Sequence, residues 1–217
     1  NMDYKQRAFE VLKLYLTDFT DDEIKACVSG AYDNTFDDNN PAPVVEVKKG
    51  ENILELWHGP TCAFKDMALQ LLPYLLTTSA KKVAKGKTMV ILVATSGDTG
   101  KAALDGFADV ENTKIIVFYP EDGVSPMQKL QMTTQTGNNV SVCAIKGNFD
   151  DAQTGVKQIF GNDEMKKYLA DKNMEFSSAN SINFGRLVPQ IVYYVSSYID
   201  LIKTGRIKKG DKFNVVV

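Results

Sequence analysis

Residues 89–100 read Met-Val-Ile-Leu-Val-Ala-Thr-Ser-Gly-Asp-Thr-Gly. Met89–Ala94 is short, apolar and rich in β-branched residues, so it reads as a buried strand. Thr95–Gly100 turns the chain, and a helix is expected from near Lys101. Ile115–Tyr119 and Val140–Ile145 repeat the pattern, each followed by turn residues and a helical segment. Strands alternating with helices predict a parallel sheet covered on both faces, hence an α/β protein.

Outward from this centre the chain reads mostly as helices. Tyr4 to Leu16 carries Phe9, Leu12 and Leu16 on one face. Thr20-Asp21-Asp22-Glu23 has the spacing of a capping box that opens a second helix running through Ala31. Asp33 to Pro43 is polar and reads as a loop. A short strand is expected at Ile53–Trp57, then a helix from about Lys65 to Ser79 kinked by Pro73. Lys81, Lys82, Lys85 and Lys87 read as a solvated linker. Ser125-Pro126 fits an N-cap followed by proline at the first helical position. Asp150 to Phe160 and Asp163 to Ala170 are further helices. Leu187 to Ile202 has two adjacent apolar stripes, which predicts burial over a wide arc. Phe213–Val217 reads as a buried strand. The expected organisation is a helical region over 1–85, a compact parallel α/β subdomain over 86–176, and a return helix and strand over 177–217.

Composition narrows the function. The formal net charge of −2 gives no long-range pull toward nucleic acid or an anionic membrane. No apolar run reaches the ~20 residues that span a bilayer. The three cysteines, Cys27, Cys62 and Cys143, are odd in number and far apart. They suit a reduced, cytoplasmic compartment rather than a disulfide framework. A single histidine, His58, argues against a histidine metal site. Packing is the expected role of both His58 and Cys62.

Three segments carry candidate chemistry. In Glu55–Asp66, Gly59-Pro60 turns the chain after a strand and sets Lys65 near a helix start beside apolar Ala63 and Phe64. Both the positive helix end and the apolar flank favour the neutral amine that Schiff-base formation needs. A solvated surface lysine beside Asp66 is the alternative. In Thr95–Gly100, two glycines and the hydroxyls of Thr95, Ser96 and Thr99 offer a seat for a carboxylate or phosphate at a helix start. The alternative is a capped turn that binds nothing, with Asp98 or Thr99 as N-cap. In Asn180–Arg186, amide, hydroxyl and guanidinium groups before the long helix also suit a phosphate. There the alternative is simple capping by Asn180, Ser181 or Asn183.

Together and in this order, His-Gly-Pro-Thr-Cys-Ala-Phe-Lys-Asp (58–66), Ala-Thr-Ser-Gly-Asp-Thr-Gly (94–100) and Ser-Ile-Asn-Phe-Gly-Arg (181–186) resemble the motifs of threonine synthases. These are pyridoxal 5'-phosphate enzymes of the tryptophan synthase β-like group, fold type II. The resemblance implies that Lys65 holds the cofactor as a Schiff base and later shuttles protons. It places Asp98 near the cofactor's 3-hydroxyl. Thr95, Ser96 and Thr99 would bind the substrate's carboxylate and phosphate, and Asn180, Ser181, Asn183 and Arg186 would complete the phosphate grip. The implied reaction turns O-phospho-L-homoserine and water into threonine and phosphate. A phospholyase on the same scaffold and a non-catalytic module are the competing readings. Family members have a glycine-rich phosphate loop downstream of a strand like Phe213–Val217. The sequence therefore reads as the N-terminal portion of such an enzyme, truncated before the C-terminal part, with the missing half as its partner and little activity alone.

Overall fold

A computed structural model describes residues 2–217. Two helices open the chain, α1 (Tyr4–Lys13) and α2 (Asp21–Tyr32). Both begin with capping boxes, Asp3 with Gln6 and the expected Thr20 with Glu23, which satisfy otherwise orphaned first-turn amides. A hairpin follows, β1 (Val44–Lys48) antiparallel to β2 (Glu51–Leu54). Only its second strand is expected from the sequence, shifted toward Trp57.

The single kinked helix expected over 65–79 is two helices, α3 (Asp66–Leu69) and α4 (Leu72–Val83). Pro73 sits in the first turn of α4, where its missing N–H breaks no helical bond. It starts a helix rather than bending one. Lys82, placed in the linker by the sequence, pairs with Glu23 at 2.7 Å and ties α4 to the start of α2.

The sheet has the order β5-β4-β3-β6, all parallel. Its strands are β3 (Thr88–Ala94), β4 (Thr113–Pro120), β5 (Val140–Ile145) and β6 (Met174–Ser178). The helices between them are α5 (Asp98–Phe107), α6 (Pro126–Thr133), α7 (Phe149–Gly161) and α8 (Asp163–Asp171). The two-residue alternation of β3 divides its side chains. Met89, Ile91 and Val93 pack with Ala102, Leu104, Phe107 and Met132, whereas Val90, Leu92 and Ala94 meet Ala152, Val156 and Leu169. The central strand is thus sealed on both faces, as its unbroken apolar run predicts.

A separate core joins α1, α2 and α3 to the long helix α9 (Phe184–Lys203) through Leu12, Ile24, Met67, Val188 and Val192. Arg7, only 6% exposed, crosses this interface to Asp200 at 2.7 Å and to the Ser196 hydroxyl and carbonyl. Burial of α9 is narrower than its two stripes predict. Val188, Val192, Tyr193 and Leu201 face inward, but Leu187, Tyr194 and Val195 lie exposed.

Phe213–Val217 corrects another expectation. The segment forms no strand and is exposed, because no strand among the described residues pairs with it. With the hairpin and α9 it borders a hollow of about 720 Å³.

Candidate active site

Two parts of the chain meet at the carboxyl ends of β3 and β6, where ligands bind in open α/β sheets. Asn180 joins them. Its amide receives a bond from Ala94 N–H (3.2 Å) and donates one to Ala94 carbonyl (2.8 Å), fastening the 180s segment to the end of β3.

The lysine loop is folded around Asp66, which is fully buried. The Asp66 carboxylate accepts from Thr61 N–H (2.9 Å), the Thr61 hydroxyl (2.6 Å) and, weakly, Ala63 N–H (3.4 Å). Gly59 permits this, since a Cβ there would lie 2.5 Å from Asp66 Cβ. Burial, opposed by these hydrogen bonds, raises the Asp66 pKa above the ordinary carboxyl value. Cys62 occupies a left-handed turn (φ 56°) and is exposed, so the packing role expected for it is not found. His58 bonds Glu55 at 2.7 Å instead of sinking into a core.

Lys65 leaves this loop at the N-cap position of α3 with its side chain 21% exposed. Its Nζ lies 4.2 Å from the centre of the Phe64 ring and 3.8 Å from Asp98 Oδ2. Burial is the main influence lowering its pKa. Asp98 opposes that, and the Arg186 and Lys101 charges reinforce it. The shift is toward the neutral amine, and its causes are burial and the neighbouring cations.

The helix after β3 starts earlier than the sequence suggests. Gly97, at φ 138°, is the N-cap of α5, and Asp98 lies in the first turn. Thr95 is buried, and its hydroxyl oxygen accepts from Gly97 N–H and Gly100 N–H, both at 2.9 Å. Thr95 thus caps the Gly100 amide, while the N-cap Gly97 has no side chain to engage the Asp98 and Thr99 amides, which lie beside exposed Ser96 in the first turn of α5.

Gln128 is a member of the site that the sequence does not single out. It caps α6 reciprocally with Ser125, and its amide nitrogen donates to Asp98 Oδ1 at 3.0 Å. A Cβ on residue 97 would lie 2.3 Å from Gln128 Cδ, so glycine is needed for close approach as well as for its φ. Lys101 adds a contact of 3.3 Å to the same Asp98 oxygen. Burial works to raise the Asp98 pKa, but the Gln128 hydrogen bond and the Lys101 and Lys65 charges prevail and hold it below the usual value.

In the third segment the candidate groups divide. Asn183 caps α9 and donates to Ser178 carbonyl, so like Asn180 it is engaged with backbone. Ser181 is exposed. Arg186 is 4% exposed, donates from Nη1 to Ala179 carbonyl at 2.6 Å, and has a buried Nε with no partner. An orphaned guanidinium donor whose charge reaches the Lys65 amine suits an anionic group.

No family model matches the chain. Relatives do. Threonine synthase of Schizosaccharomyces pombe is 39% identical over 211 residues, covering 94% of this chain and 40% of that protein. Threonine synthase-like 1 of Pongo abelii is 40% identical over 196 residues, 88% of this chain and 26% of that protein. Among solved structures, pyridoxal-phosphate-bound threonine synthase from Brucella melitensis superposes with a TM-score of 0.82 at 38% identity, over 93% of this chain and 42% of that one. The chain thus spans between a quarter and about two fifths of the length of these proteins. Over nearly all of its own length, the chain is a homologue of the threonine synthases and shares their α/β fold.

Proposed function

We propose that these residues form the lysine-bearing part of a threonine synthase site, acting on O-phospho-L-homoserine and water to give threonine and phosphate. The observation that carries this reading is the convergence on Asp98: Lys65 Nζ stands 3.8 Å from its carboxylate, at the open start of α5, with Arg186 close enough for its charge to bear on the same amine.

The residues present fit pyridoxal phosphate. An amine whose pKa is lowered can attach an aldehyde, and the unpartnered Arg186 Nε, whose charge bears on that amine, suits negative charge. When bound, that group supplies an electron sink for carbanion chemistry. Lys65 is the attachment point, and its freed amine can carry protons between neighbouring substrate carbons. Asp98, its pKa depressed and its carboxylate held by Gln128, would offer the bound group a charged acceptor. Ser96, Thr99 and the Asp98 and Thr99 amides of α5 would bind the substrate's anionic groups, with Ser181 and Arg186 as further candidates. Thr95, Asn180 and Asn183 act one step back by holding the loops that carry these donors, since their own polar groups are bonded to backbone.

Turnover is expected only when this chain is joined to the additional length that its relatives have. A chimera in which the chain replaces the matched residues of the Schizosaccharomyces pombe enzyme tests the assignment. Threonine and phosphate should form, and Lys65→Ala should abolish both. Phosphate release with a keto acid and no threonine would identify a phospholyase. A folded chimera that releases no phosphate would refute the reading.

A further inference from the structure

We propose that Lys101 is a positioning residue that holds the Asp98 carboxylate in competition with Lys65, and so leaves the Lys65 amine free to react. This deepens the reading of Lys65 as the reactive amine and rests on it.

Two amines share one carboxylate through different oxygens. Lys101 Nζ lies 3.3 Å from Asp98 Oδ1, and Lys65 Nζ lies 3.8 Å from Oδ2. The Lys101 side chain is 9% exposed, against 21% for Lys65. Among the described residues, Asp98 is the carboxylate within salt-bridge reach of Lys101. A buried ammonium without a partner is costly, so the shorter contact belongs to the amine that most needs it. Gln128 donates to the oxygen that Lys101 contacts, at 3.0 Å, which fixes the carboxylate toward the interior.

The charge balance points the same way. The groups bearing on Lys65 are Asp98 and Lys101 from α5 and Arg186 from α9, with the Phe64 ring against the ammonium. Two amines thus share one anion, and the Arg186 charge bears on Lys65 as well. With Lys101 nearer to Asp98, less of the carboxylate's attraction is left to hold a proton on Lys65. Burial, Arg186 and Lys101 all press the Lys65 pKa down, and Asp98 alone opposes them. Removing the Lys101 charge takes away one repulsion and leaves Asp98 wholly to Lys65. Both changes act in one direction, toward a protonated Lys65.

The test is a pH titration of the 217-residue chain carrying ¹⁵N,¹³C-lysine, with the Lys65 side-chain resonance assigned by its loss in Lys65→Ala and no cofactor present. In the wild type, Lys65 must lose its proton below the ordinary lysine range; an ordinary or raised value overturns the proposal without any variant. Lys101→Met should raise the Lys65 pKa by about one unit, the scale of one nearby charge. Lys101→Arg should hold it at the wild-type value. An unchanged or lowered Lys65 pKa in folded Lys101→Met overturns the proposal. If that variant does not fold, Lys101→Gln and the wild-type Lys65 titration decide. Because no cofactor takes part, failure here is distinct from failure of the proposed reaction.

Discussion

Replacing Asp66 with alanine removes the acceptor around which the lysine loop is folded. Asp66 is fully buried and accepts from the Thr61 amide at 2.9 Å and the Thr61 hydroxyl at 2.6 Å. The hydroxyl can rotate toward another acceptor, but the amide cannot. Stranded donors at ~1–3 kcal/mol each, counted for both Thr61 groups, give a gross cost of about 2–6 kcal/mol. Part of this is returned, because a carboxyl whose pKa burial has raised is already under a desolvation penalty. A net loss of about 2–4 kcal/mol is expected, a large share of the ~5–15 kcal/mol stability of a domain. Urea unfolding followed by tryptophan fluorescence measures it, since Trp57 lies beside the loop. The pH dependence supplies a second check. A raised folded pKa means that the Asp66 contribution is complete below the ordinary aspartate range and declines as pH rises through the folded value. The gap between wild type and Asp66→Asn should therefore be wider near pH 4 than near pH 7. A loss for Asp66→Ala below about 0.5 kcal/mol, the ordinary scatter of surface substitutions, would refute the reasoning.

Arg7→Met should cost about 3–5 kcal/mol in the same unfolding assay, because Asp200 and Ser196 lose a buried partner. Gly97→Ala is expected to destabilise by about 1–3 kcal/mol from its positive φ alone, and to displace Gln128 from Asp98. A shift of the Gln128 side-chain amide resonances on that substitution reports the displacement directly. Ser125→Ala should cost about 1 kcal/mol through loss of the α6 cap and loosen Gln128 in the same way. The Asp98 pKa is depressed, so its stabilising contribution should be complete above the ordinary aspartate range and be lost as pH falls below it, a loss absent from Asp98→Asn.

What the sequence discloses is largely local. The apolar runs at β3, β4 and β5 mark strands to within two residues, and the Thr20 and Ser125 regions mark helix starts through capping chemistry acting within four residues. The β6 strand, Met-Glu-Phe-Ser-Ser, lacks the β-branched run that announces the others, and pairing with β3 creates it. Likewise Val44–Lys48 becomes a strand through its hairpin partner. The three site segments stand out by residue type, but their division of labour is non-local. Nothing near Thr95 or Asn180 in sequence indicates that their polar groups will be spent on backbone at Gly97, Gly100 and Ala94. Gln128 is 30 residues from the Asp98 carboxylate it holds, and its role exists only once α6 docks beside Gly97. Lys101 likewise has the look of an ordinary helix lysine until folding buries it.

The central claim is that Lys65 is the amine that captures pyridoxal phosphate. The most direct measurement is borohydride reduction of the chain after incubation with pyridoxal phosphate near neutral pH, followed by peptide mass mapping, in wild type and Lys65→Ala. The account predicts one reduced pyridoxyl adduct, on Lys65, accompanied by a visible absorbance band that Lys65→Ala lacks. Labelling spread over surface lysines, or undiminished in Lys65→Ala, would contradict it.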